Sequence, residues 1–283
     1  MSSLRKKPHI FISSFFVIFC LALVRFSAMA YWETGARFGY DSNIDRTLTD
    51  EISSSYESAY ISFSRSGTNE SRLNWFITAA VEGTLYNKTS DLNSGDITIV
   101  PGLHYIPHRL ISVTIAPFFQ AKVVKDTDRN AVSLGGKITL REQLHSDIYL
   151  SQYFLYRNYE ASLDTYSYEE NAVGLTAGFT LTPRFNAEIA YEYSTSDSYQ
   201  IISVGNRNGN GGGGPGPGPG PGPHNVPMLT IKDPVDRNAV GLNLNFTISK
   251  SLFSFANCTY MLIKGKSDNS SAYFGNIGVG YRF

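Results

Sequence analysis

The chain reads as all-β, an antiparallel up-and-down β-barrel of about twelve strands that crosses a membrane. Three observations predict it. Segments of alternating apolar and polar residues recur from Trp32 to the C-terminus, and successive side chains of a strand point to opposite faces. The links between these segments alternate between short turns and longer loops. No apolar run after Ala30 is long enough for a spanning helix, so a membrane protein of this sequence must be a barrel.

The N-terminus predicts a secretory leader over residues 1–30. Arg5, Lys6 and Lys7 are followed by the apolar run Ile10–Val24 and by Ala28-Met29-Ala30, a small-residue cleavage site. Cys20 lacks the small residues that a lipoprotein site needs before it. Residues 31–283 are the expected barrel. Removing the leader takes Arg5, Lys6, Lys7 and Arg25 and no acid, so 24 basic and 24 acidic residues become 20 against 24. A mildly acidic chain argues against a nucleic-acid partner. Cys258 is then the one remaining cysteine, which excludes an internal disulfide and a thiolate metal site, and no CxxCH is present for a c-type haem.

Trp32–Tyr40 sets Trp32, Thr34, Ala36, Phe38 and Tyr40 against Glu33, Gly35, Arg37 and Gly39. Tyr56–Arg65 sets Ala59, Ile61 and Phe63 against serines and Tyr60. Arg72–Tyr86 has Leu73, Trp75, Ile77, Ala79, Val81 and Leu85 on one face, with Arg72, Asn74, Thr78, Glu82 and Thr84 on the other. Asp96–Tyr105, Leu110–Val124 and Asn130–Arg141 continue the pattern, their polar faces carrying Asp96, Lys122, Lys137 and Arg141. Asp147–Asn158 is strand-like, but its parities are equally mixed and its faces stay unassigned. Asn171–Thr182 and Arg184–Ser194 follow, the latter with Glu188 and Glu192 on its polar face. Asn238–Ser249 alternates, whereas Leu252–Lys264 is apolar on both parities and suggests a bulge near Asn257. Ser271–Phe283 closes the set, with Tyr273, Ile277, Val279, Tyr281 and Phe283 opposite Phe274, Asn276 and Arg282.

With an even strand count, both ends of the mature chain lie on the inner side of the membrane. The predicted inner turns are Ser66–Ser71, Ile106–Arg109, Glu142–Ser146, Leu181–Arg184 and Ser249–Ser251. The outer loops include Asp41–Asp50, Asn87–Gly95, Glu160–Glu170 and a long flexible loop over about 196–235, which holds the Gly/Pro run Asn208–His224. Three segments repeat without gaps: Asp128–Leu140, Glu169–Leu181 and Asp236–Ile248. Each begins a descending strand, so the repeat reads as hairpin duplication rather than as a binding motif.

The polar face predicts the pore lining: Glu33, Arg37, Arg72, Glu82, Asp96, Lys122, Lys137, Arg141, Glu188, Glu192 and Arg282. Mixed charge on a water-facing wall keeps a lumen wet, whereas in a small barrel the same charges can pair and plug it. Tyr31, Trp32, Tyr40, Tyr105, Tyr191, Tyr193 and Tyr281 near strand ends fit interfacial girdles. The acidic outer loops suit either divalent cations that bridge lipopolysaccharide or plain solvation. No GxSxG, HExxH, P-loop or EF-hand spacing occurs, so no enzyme, no cofactor and no metal are expected.

Ser271–Phe283 resembles the C-terminal strand of bacterial outer-membrane barrels, and the mature chain as a whole resembles the porin group of those barrels. The resemblance implies an outer-membrane location, and an assembly signal at Tyr281 and Phe283. Outer-membrane phospholipases of twelve strands carry a His-x-Ser strand motif, and His104, His108, His145 and His224 have no Ser two residues on. Phe38–Thr47 (FGYDSNIDRT) is similar to the first hairpin of barrels encoded with exopolysaccharide or exosortase systems. Two functions stay open at this point. One is a porin-like channel for passive diffusion of small solutes; the other is a non-conducting barrel that serves an envelope export or electron-transfer system. The partners implied are outer-membrane lipids and lipopolysaccharide, the barrel assembly machinery, and envelope proteins.

Overall fold

The computed structural model describes residues 28–44, 46, 48, 51–67, 72–203, 228–266 and 268–283. Twelve strands follow one another in the chain: β1 (Ala28–Asp41), β2 (Ser54–Gly67), β3 (Leu73–Tyr86), β4 (Ser94–His108), β5 (Ile111–Val124), β6 (Ala131–His145), β7 (Ile148–Ala161), β8 (Tyr168–Thr182), β9 (Phe185–Ser203), β10 (Met228–Thr247), β11 (Leu252–Lys264) and β12 (Asn269–Arg282). Each pairs antiparallel with its neighbour in sequence, and β1 pairs with β12, which closes the barrel. The closing register runs from Glu33↔Arg282 to Asp41↔Phe274. All twelve strands lie in this one closed sheet. Of the expected leader, residues 1–27 lie outside the described residues; Ala28–Ala30 begin β1, opposite Arg65–Gly67.

The alternation read along each strand sets its two faces. Every strand exposes at least one large apolar side chain on the outer face, from Phe38, Ile61, Val81 and Ile97 on β1–β4 round to Val240, Tyr260 and Ile277 on β10–β12. The inner face mixes glycines, polar and charged residues with aromatic rings that lie over those glycines. Ile277 is 63% exposed while Ala272, on the opposite parity of the same strand, is fully covered. Among the described residues, the buried hydrophobic side chains are four alanines with Leu48, Val124, Val235 and Ile263, far too little for a water-soluble core. A continuous apolar belt outside and a charged interior are the inverse of a soluble domain. Hydrocarbon is the solvent that satisfies the belt.

The links keep the expected asymmetry. Inner links are 68–72, 109–110, 146–147, 183–184 and 248–251; outer ones include 42–53, 87–93, 125–130 and 162–167. Short 3-10 turns at Ser90–Leu92, Thr127–Arg129 and Asp164–Tyr166 tighten three outer loops.

Three expectations are corrected. The suggested bulge near Asn257 is absent, because β11 keeps unbroken register with β10 and β12; register shifts fall instead beside inner turns, at Tyr105/His108, Gln143/His145 and Thr180/Thr182. The long loop expected over 196–235 is in part strand, since β9 and β10 pair without interruption from Phe185↔Phe246 to Met228↔Ser203. The Gly/Pro run lies outside the described residues. Tyr31 belongs to no outer girdle, because it has the inward parity of Glu33, and the guanidinium of Arg282 lies 5.1 Å from its ring centroid. Trp32, one residue on, does face outward and packs on Phe63 with centroids 5.0 Å apart.

One place in the wall lacks pairing. The β4–β5 ladder stops after Ile99↔Phe119 and resumes at Leu103↔Ile115 without a change of register. The N–H of Ile106 donates to Arg72 and that of Lys125 to Asn93, so odd positions of β4 and β5 turn toward each other. Pro101 and Pro117 therefore meet where two strands should exchange both hydrogen bonds, and neither has an N–H to give.

Candidate functional site

The inner face forms a charged lumen. Near the inner rim Arg282 contacts Glu33 at 2.7 Å, and Glu33 also accepts a hydrogen bond from Tyr60 at 3.0 Å. Arg37 pairs with Glu82 across β2 and donates to Ser58 at 2.7 Å. Glu82, Asp96 and Lys122 sit at directly opposed register positions on β3, β4 and β5, and Gln120 donates to Asp96 at 3.2 Å.

Two matching tiers cross β6 to β9. In one, the Lys137 ammonium lies 3.7 Å from the centre of the Tyr153 ring, whose hydroxyl donates to Glu192. In the other, Arg141 lies 3.7 Å from the Tyr149 ring centre, whose hydroxyl donates to Glu188. Both rings lie flat on the wall because β8 has glycine beneath them: a Cβ on Gly174 or Gly178 would come within 2.2 Å of ring carbons. Each tier thus places a cation on an aromatic face, and the hydroxyl edge binds a carboxylate. These two rings are occupied and offer no free face for a solute to stack on.

The lumen widens into a cavity at each end. The outer cavity, about 420 Å³, is lined by Arg46, Lys122, Arg129, Arg157 and Arg237 together with Glu170, Glu192 and Asp197. The inner one, about 530 Å³, is lined by residues that include Glu33, Arg141, Glu188, Lys250 and Arg282. The first outer loop folds over the outer mouth. Leu48 is buried there against Val235 and Ile263, with Met261 beside them. Arg46 from the same loop pairs with Asp41 at 2.7 Å and lies over the Phe274 ring.

Of the eleven residues expected to line a pore, Glu33, Arg37, Glu82, Asp96, Lys122, Lys137, Arg141, Glu188, Glu192 and Arg282 share this inner face. Arg72 lies exposed in the inner turn ahead of β3, where its carbonyl accepts from the N–H of Ile106. Tyr281 and Phe283, expected as an assembly signal, lie exposed on the outer face of the inner rim with ring centroids 6.0 Å apart.

Sequence reasoning missed Arg157, Glu170 and Arg237. Arg157 lies on β7, whose faces could not be assigned. Tyr149, Tyr153 and Leu155 point inward there while Gln152 points out, which blurs the two parities. The three-fold repeat held the signal for the others. Its second position is Arg129, Glu170 and Arg237, and all three line the outer cavity. The repeat is hairpin duplication that also places a charge at the mouth in each copy.

Among the described residues, no group of three or more His, Cys, Asp or Glu side chains is placed to hold a metal ion. Closure, even strand count, short inner turns and the apolar belt all agree. The molecule is a membrane-spanning β-barrel.

No family model matches the chain, and no curated protein matches it. Solved structures similar to it include a KdgM porin (TM-score 0.48, 12% identity, 89% of this chain and 99% of that one). A NanC porin gives a TM-score of 0.46 at 12% identity, over 88% of this chain and 98% of that one. An anion-selective porin from Comamonas acidovorans gives 0.43 at 8% identity, over 91% and 99%. The fold assignment rests on the strand pairing itself.

Proposed function

We propose that the barrel is a porin-like channel that passes small hydrophilic solutes passively through its charged lumen. One observation carries the reading: ionised side chains line both cavities, five cations with three carboxylates in the outer one and Glu33, Arg141, Glu188, Lys250 and Arg282 in the inner one, beside the apolar residues there. Charges fixed on ring faces and hydroxyls cost little further organisation, so they hold water in the lumen without collapsing into it. In this reading Phe283 is the group that the barrel assembly machinery recognises, and lipid and lipopolysaccharide cover the belt. The protein has no catalysis of its own.

A second reading, a non-conducting barrel serving another envelope system, is favoured by the first outer loop, whose Leu48 is held in the mouth. Liposome swelling separates the two. Proteoliposomes with the purified barrel should swell in isotonic arabinose and more slowly in larger sugars. Swelling no faster than that of protein-free liposomes would remove the channel reading.

A further inference from the structure

The outer cavity is lined by five cationic side chains and three carboxylates. That surplus runs against the chain's composition, since residues 31–283 carry 20 basic and 24 acidic residues once Arg5, Lys6, Lys7 and Arg25 are subtracted from the 24 and 24 of the full sequence. Positive charge is therefore concentrated at the mouth.

Its centre is Glu170. One carboxylate oxygen faces Arg157 at 3.5 Å and the other faces Arg237 at 3.7 Å. Arg157 is the direct register partner of Glu170, and Arg237 reaches it from β10 across Ser196 of β9. One carboxylate is thus shared by two guanidinium groups, at distances longer than a charge-assisted hydrogen bond. The Nε atoms of Arg157 and Arg237 are buried and have no hydrogen-bond partner. A guanidinium carries five donors in a fork that suits oxyanions, and buried donors without partners are rare enough to need a cause.

We infer that Arg157 and Arg237 form an anion-binding site at the outer mouth, with Glu170 as the internal counter-ion that a passing anion displaces. The ligand class is a small oxyanion such as a carboxylate or phosphate. This inference rests on the channel reading above. Glu170 keeps the pair from binding an anion so tightly that it cannot leave, and a channel needs that balance of attraction and release.

Reversal potentials across planar bilayers in a potassium chloride gradient test this. The unmodified barrel should favour chloride over potassium by about threefold. Glu170→Gln should raise that ratio about twofold, and the double variant Arg157→Gln/Arg237→Gln should bring it to about one or below. Inorganic phosphate added to the outer side should reduce chloride current in the unmodified barrel and not in the double variant. Heat-modifiable gel mobility checks that each variant is folded, and Glu170→Gln, isosteric and opposite in sign, gives a reading even where the double variant does not fold. Channels that favour potassium, or whose ratio Glu170→Gln leaves unchanged, overturn the anion site while the channel reading stands. No channel events in any form overturn the channel reading and the anion site with it.

Discussion

Phe283 and Trp32 exchange two backbone hydrogen bonds, Trp32 N–H to the Phe283 carbonyl at 2.9 Å and Phe283 N–H to the Trp32 carbonyl at 3.0 Å. The last residue of the chain is thus the final rung of barrel closure, and its ring is 61% exposed on the outer face. Deleting Phe283 removes both bonds, each contributing about 1 kcal/mol, together with the ring. Phe283→Ala keeps the rung and loses only the ring. Both variants should lower the heat-modifiable fraction in membranes, the deletion more strongly. Normal assembly of both would show that neither closure nor recognition depends on this residue.

Gly174 and Gly83 give a paired comparison. A Cβ at Gly174 would strike the Tyr153 ring, whereas at Gly83 it meets nothing within 4 Å. Gly174→Ala should push the ring and its Lys137 cap off the wall and into the lumen. Single-channel conductance should fall by about a third or more while Gly83→Ala leaves it unchanged, the cross-strand aromatic and glycine being one unit. Equal conductance in both variants would mean that the ring does not border the conducting path.

The sequence made the strands and their outward faces legible because lipid demands an uninterrupted apolar parity, which ten or so segments keep. The lumen was less legible. An inward position tolerates glycine, tyrosine, leucine or arginine, provided its neighbour is complementary, and that condition is set across strands rather than along one. Tyr153 on β7 makes sense only beside Gly174 on β8, so β7 alone showed no clear face. The outer triad was hidden for the same reason, since Arg157, Glu170 and Arg237 come from three strands. Leu252–Lys264 looked irregular because its inward phenylalanines, Phe253 and Phe255, lie over Gly280 and Gly278 of β12.

Pro101 and Pro117 leave each other's carbonyl without the N–H that an antiparallel pair supplies, in a wall where water is not at hand to replace it. Replacing both with valine supplies two donors in register, and should stabilise the barrel by about 1–2 kcal/mol. The temperature at which the folded gel band is lost should rise. An unchanged or lower temperature would show that the strand separation there is imposed by packing, not by the missing donors.

Cys258 reports the orientation of β11 without any engineering. It is exposed, on the same parity as Tyr260 and Leu262 and opposite Phe255 and Asn257. In proteoliposomes a membrane-permeant apolar maleimide should label it, and a charged, water-soluble one should not until detergent is added. Rapid labelling by the charged reagent in intact bilayers would place Cys258 in the lumen, and would reverse the faces of β11.

The central claim is that a closed, charged lumen conducts. Planar-bilayer recording of the purified, heat-modifiable barrel tests it most directly. Discrete conductance steps that scale with salt concentration are the predicted result. A barrel that inserts yet gives no steps above the protein-free baseline would contradict it.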